Sequence, residues 1–348
     1  MIIKKIQAGA LVAIVFSSQL ICGPAFGGVS PGKITFDSLF ANRKSVSYVA
    51  WQQFAKSFDS GPVEKVHYEI LVGPHTKMLY KTPEKAIDVV NRAFHNHKTA
   101  KNVVFIEYQY ADMDWAYKQL SKLVDAAQMQ IFNRNENGGL VSSNCMDGTK
   151  NCGAAKALTA ANGVAFVLEG VSNEAPFAAN VAMNVTSGML EAHEYFHSIQ
   201  DVPFRGKMIA ESNYPPQWFT EGSAEVVKNL VINHAAIKKY KAYVGFMSAH
   251  LYGDYINRDP AYISKYLDFS NNKNKWENYS KDDAYLLGNR ICEILVAVGG
   301  LDSLMTMNEE MGKNIGFLRA FNNVYGISWS KAQPLIAKTI AANIADNL

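Results

Sequence analysis

The chain has 348 residues, 48% of them hydrophobic, and a formal charge of only +3. That length suits one large domain or two coupled ones, with ample material for a core. A charge so near neutral implies neither nucleic acid nor an anionic membrane as partner. The one tight basic group, Lys238, Lys239 and Lys241, reads as a solvated helix face.

The first segment reads as a secretory signal. Lys4 and Lys5 make a charged start, and residues 8–21 are an apolar run too short for a spanning helix. Ala25-Phe26-Gly27 then puts small residues where a signal peptidase reads. Residues 1–27 are therefore expected to be cleaved. Losing Lys4 and Lys5 takes two charges from +3 and leaves +1. A retained membrane anchor is the alternative; lipoprotein processing at Cys22 is disfavoured by the bulky Leu20-Ile21 before it. No later run is long and apolar enough to span a bilayer. The mature chain is expected to be soluble and exported, secreted or periplasmic, with no stable membrane insertion.

Residues 28–150 read as an α/β region. A helix is expected over 46–58, ended by Asp-Ser-Gly-Pro. Residues 66–72 alternate and are rich in β-branched and aromatic side chains, which predicts a strand stopped at Gly73-Pro74. Pro83 at a first helical position opens a helix to about residue 96. A second strand is expected over 103–108 and a helix over 112–127. Cys145 and Cys152 flank a polar turn. In an oxidising compartment they should pair, contributing about 2–3 kcal/mol in the chain-entropy model. A metal pair is the alternative, but the spacing is too long for a zinc knuckle and no partner pair exists.

Residues 151–348 read as mainly helical after one more strand. That strand is the apolar run 163–169, an ordinary core strand or an edge that pairs with an extended peptide. Helices are expected over 187–200 (capped by Thr186 or Ser187), from 216 or 218 to 234, over 235–251 and over 283–298, with two or three shorter ones closing the chain. Cys292 falls in an apolar helical pattern and reads as a buried free thiol. The fold class is thus α+β: a small N-terminal α/β unit and strands, then a mainly helical region.

Chemistry concentrates in His193-Glu194-Tyr195-Phe196-His197. Histidines at i and i+4 share one helical face and can grip one zinc ion, with the intervening glutamate able to reach a metal-bound water. Catalytic zinc wants a third protein ligand and one open position. Trp218-Phe219-Thr220-Glu221-Gly222-Ser223-Ala224-Glu225 supplies it in Glu221, with Gly222 and Ala224 small enough to let that helix press on the metal helix. Glu225, one turn on, is placed to accept the second ring N–H of a ligand histidine.

These two motifs together resemble the gluzincin metallopeptidases, in which a downstream glutamate is the third zinc ligand. The spacing of Tyr285-Leu-Leu-Gly288, Gly299-Gly300-Leu301 and Phe317-Leu-Arg-Ala-Phe321 is similar to the C-terminal helices of the peptidase MA-like branch, over about residues 185–335. The resemblance implies a thermolysin-like zincin catalytic region with His193, His197 and Glu221 on Zn2+, Glu194 as general base and Glu225 behind a histidine. In such enzymes a downstream Tyr or His stabilises the oxyanion. Tyr285 is the candidate here, though it reads equally as a packing aromatic, and Tyr279 and Tyr262 are lesser ones. The Gly-x-Met-Glu-Asn motif of aminopeptidases is absent, and Thr220 stands where thermolysin-type enzymes have Asn.

The expected activity is hydrolysis of a peptide or protein substrate by a zinc-activated water, with Glu194 moving the proton. Two other readings stand beside it. One is a non-catalytic exported scaffold with a structural zinc, which would need a fourth protein ligand. The other is a zinc hydrolase with a non-peptide substrate. No Gly-x-Ser-x-Gly elbow, phosphate loop or dinucleotide fingerprint occurs.

Overall fold

A computed structural model describes residues 33–125, 129, 139–146, 150–160, 162–172, 179–246, 259–269 and 281–346. Residues 1–27, expected from sequence to be a signal segment and including Cys22, lie outside the described residues, as do His250 and Tyr279.

Helix α1 (Val46–Ser60) buries Val46, Val49, Ala50 and Phe54, an i, i+3, i+4, i+8 stripe on one face. Strand β1 (His67–Val72), α2 (Pro83–Ala93), β2 (Asn102–Tyr108) and α3 (Met113–Leu123) follow in the expected order. Helix α2 opens with Pro83 inside its first turn and stops at Phe94, short of residue 96. A short α4 (Gly139–Ser142) leads to a two-stranded ribbon of β3 (Cys145–Met146) and β4 (Asn151–Cys152). Cys145 and Cys152 face each other across it and are disulfide-bonded.

Strands β5 (Ala154–Thr159) and β6 (Ala165–Gly170) complete a four-stranded sheet of order β1-β2-β6-β5. β1, β2 and β6 run parallel, and β5 is antiparallel to β6. The sheet thus takes strands from both sides of residue 150, and residues 33–348 form a single compact unit. β2 and β6 are covered on both faces, as parallel strands usually are. Val103, Phe105, Ala165 and Val167 join the large core shared with the helices. Val104, Ile106, Phe166 and Leu168 join a smaller core with Ala116 and Leu120 of α3.

The remaining chain is helical: α5 (Ala179–Thr186), α6 (Met189–Asp201), α7 (Gln217–Ile232), α8 (Ile237–Phe246), α9 (Pro260–Phe269), α10 (Lys281–Gly299), α11 (Ser303–Met311), α12 (Phe317–Tyr325) and α13 (Trp329–Ala345). The protein is mixed α+β, predominantly helical, with a small sheet. None of the described helices alone is long and apolar enough to cross a membrane. Lys238, Lys239 and Lys241 are exposed on α8, and Cys292 is a buried free thiol.

Three local expectations change. Neither Thr186 nor Ser187 caps α6. Gly188 does, at φ +88°, where a Cβ would also meet the Tyr80 ring at 2.9 Å, while the Ser187 hydroxyl bonds back to Met183. Helices α5 and α9 escape the sequence reading. So does β5, whose Ala-Ala-Lys-Ala-Leu-Thr lacks the β-branched and aromatic residues that mark a strand.

Candidate metal centre

Helix α6 lies between the sheet and α7 and is buried nearly all round. His193 and His197 leave it one turn apart. Their Nε2 atoms are 3.0 Å from each other, and each is 3.3 Å from Oε2 of Glu221 on α7. Ligands of a tetrahedral ion bound at 2.0–2.1 Å sit about 3.3 Å apart. Two imidazoles and one carboxylate therefore converge at the separation a small divalent cation requires. Among the described residues this is the group of His, Cys, Asp and Glu side chains that meets at metal-binding distance.

The far sides of both rings are held. His197 Nδ1 is 2.7 Å from Oε1 of Gln200. The Gln200 amide donates to the Thr220 carbonyl and to the Ser223 hydroxyl, so its oxygen is left to accept. That places the His197 proton on Nδ1 and the lone pair on Nε2. His193 Nδ1 comes within 3.0 Å of Glu225 Oε1, though bent from the ideal line. The same oxygen accepts a hydrogen bond from the buried Lys228 ammonium. Glu225 was legible from its spacing on the helix. Gln200 and Lys228 were not read, although Gln200 stands at i+3 from His197 on the same face.

The electrostatics favour a cation. Burial works against charge on His193, but hydrogen bonds to Glu221 and Glu225 push it up to about 9. His197 is raised as well: burial opposes, and the Glu221 charge outweighs it. For Glu221, burial raises and the two imidazoles lower, with the net result well below the usual carboxylate range.

Glu194 is 7% exposed and lines a cleft of about 430 Å³ beside His197 and Glu221. Tyr285, from α10, lines the same cleft. Its ring stacks on His193 at 6.1 Å and 20°, and its hydroxyl bonds Glu221. Burial, together with the negative charges of Glu221, Glu194 and Glu225, drives the phenol far above its ordinary value and keeps it a proton donor. Tyr262 instead donates to Asp283, 2.8 Å away.

Residues 155–158 of β5 form the opposite lip of the cleft. Among the described residues β5 is the sheet edge, with one neighbouring strand, β6. The run 163–169, offered from sequence as either edge or core, is the core strand β6, flanked by β2 and β5. Phe204 and Tyr214, stacked at 5.4 Å, form another part of the cleft wall.

Two supports hold α7 in place. Trp218 is fully buried, stacking on Trp329 at 5.5 Å and edge-on to Phe317 at 5.4 Å. The aromatic residues of the Glu221 motif are thus an anchor to the C-terminal helices. Gly222, read from sequence as seating α7 on the metal helix, instead meets Gly288 of α10.

Behind α6 lie three buried acids that no motif announced. Glu107 and Glu169 are register partners on β2 and β6, and Glu191 precedes His193 on α6. Each has a buried carboxylate oxygen without a hydrogen-bond partner. Burial raises Glu107 to about 7, Glu191 to about 8, and Glu169 well above its ordinary value, the last helped by its acidic neighbours. Compared with protein-family models, with curated proteins and with solved structures, the chain shows no match.

Proposed function

We propose that this chain is a zinc-dependent peptidase of the gluzincin type, with a thermolysin-like arrangement around the zinc and an exported, disulfide-stabilised mature form. The observation that carries the reading is the convergence of His193 Nε2, His197 Nε2 and Glu221 Oε2 at tetrahedral spacing on the wall of an open cleft. Two imidazoles with one carboxylate are a donor set suited to catalytic zinc. Among the described residues no fourth His, Cys, Asp or Glu joins the three, which favours an open site over a closed structural one.

Zinc held there would supply Lewis acidity and an acidified water near neutral pH. The chain's own residues do the rest. Gln200 and Glu225 hold the two imidazoles in the tautomer that offers Nε2. Glu194 takes a proton from the attacking water and returns it to the leaving amine. The Tyr285 hydroxyl, kept protonated by burial and its acidic neighbours, can donate to the developing oxyanion. The outer edge of β5 can align an extended peptide through its backbone. Such a substrate needs no side-chain charge, in keeping with the near-neutral chain.

The test is metal analysis of the purified mature protein, then mass-spectrometric profiling of peptide cleavage with and without a chelator. Glu194→Gln should keep its metal and lose cleavage. Cleavage retained by that variant would sink the mechanism.

A further inference from the structure

Lys228 is 5% exposed, on the face of α7 that carries Glu221 and Glu225, at spacings of four and then three residues. Lysine is almost never buried so fully unless paired. Its partner is Glu225, and the ammonium bonds Oε1, the oxygen that also faces His193 Nδ1. Burying such a pair costs desolvation that an apolar side chain of similar volume would not, so fold stability alone is a poor reason for it. The pair stands directly behind a ligand histidine.

We propose that Lys228 is a positioning residue of the metal centre: its ammonium holds the Glu225 carboxylate against His193 and thereby sets the affinity of the site for its metal. The inference rests on the metal-site reading above. With one donor alone, the carboxylate is free to rotate towards another. With both on one oxygen, Glu225 stays where it faces the Nδ1–H as acceptor, and the Nε2 lone pair remains aimed at the point shared with His197 and Glu221. A lysine suits this task because its charge is compact and its three protons can turn to follow one oxygen.

The experiment measures zinc affinity of the full chain by competition with a chromophoric chelator, and the visible absorption of the cobalt-loaded protein. Lys228→Met should bind zinc about tenfold more weakly or worse, the scale of other outer-shell losses, and should change the cobalt spectrum. In a Glu225→Gln background the same substitution should change affinity less than about twofold, because its route to the metal is already cut. Should Lys228→Met not fold in the presence of chelator, Lys228→Gln, close in length and uncharged, serves with the same expectation. Unchanged affinity and spectrum overturn the proposal, and so does an undiminished loss in the Glu225→Gln background. An unmutated chain that binds neither zinc nor cobalt overturns the metal reading and this role with it.

Discussion

Gly222 and Gly288 bring the backbones of α7 and α10 into direct contact. A Cβ on Gly222 would lie 2.1 Å from the Gly288 carbonyl carbon, and one on Gly288 would lie 2.4 Å from the Trp218 carbonyl oxygen. Such distances leave no room for a methyl group, and the obstacle is backbone, which cannot rotate away. The contact sits one residue after Glu221 and three after Tyr285. It therefore sets how far the third candidate ligand stands from the tyrosine that bonds it. Gly222→Ala should force the helices apart, costing about 1–3 kcal/mol of stability and lowering metal affinity as Glu221 moves. Thermal unfolding in chelator and a zinc competition titration measure the two effects separately. A variant with native affinity would show that the spacing of α7 and α10 does not govern the site.

Tyr285 donates to Glu221 and stacks on His193. If its hydroxyl serves the oxyanion, Tyr285→Phe should keep the metal and the ring packing while kcat falls about 10²–10³-fold with little change in KM. Steady-state kinetics on any peptide found in the cleavage profile decide this. A fall in metal content instead would assign the residue to holding Glu221.

The buried acid Glu107 predicts an alkaline instability. Its folded value, about 7, lies above the ordinary 4.5. The folded state therefore holds the proton more tightly. Its contribution is fully present below pH 4.5 and is lost as pH rises through about 7. Glu107→Gln removes the ionisation and keeps an oxygen for the Leu79 N–H. It should stabilise the protein by about 3 kcal/mol at pH 8 and much less at pH 5. Denaturant unfolding at the two pH values tests this, and equal effects at both would contradict it.

His97 predicts a second pH dependence. Its ring is held between the carboxylates of Glu309 in α11 and Asp302 at its N-cap, with Nδ1 2.9 Å from Glu309 and Nε2 3.4 Å from Asp302. The two nitrogens serve separate acids, one at the N-cap of α11 and one within it, and so form an ion-pair clamp. Burial opposes the charge, but Asp302 and Glu309 prevail and raise the ring above its ordinary 6.5. The stabilisation is whole below pH 6.5 and is lost as pH rises through the raised value. Asp302 is lowered, so its share is whole above its ordinary 3.8 and fades as pH falls through the lower value. Both acids are about half exposed, which limits the clamp to about 1 kcal/mol. His97→Gln should cost that much near pH 5.5 and little near pH 9, as read from denaturation midpoints.

Much of the candidate site was readable in one dimension because its parts are local. The i, i+4 geometry of a helix puts His193 beside His197, and Glu221 beside Glu225, without any knowledge of the fold. A seven-residue separation was enough to pair Cys145 with Cys152, since a tight ribbon can close so short a loop. Strands β1 and β2 declared themselves through runs of β-branched and aromatic residues, and β6 through a short apolar run. The features that turn those parts into a site are not local. β5 is an edge strand of mostly alanines and becomes visible only against β6. Gly222 was read correctly as a close-packing residue and assigned to the wrong neighbour, because small side chains announce contact without naming the partner. Glu107, Glu169 and Glu191 look like ordinary acids until two strands and a helix bury them together. Lys228 looks like a surface lysine until burial against Glu225 makes it a counter-ion. Spacing along a helix determines which side chains share a face, but what that face meets depends on chain segments dozens of residues away, and only their packing decides it.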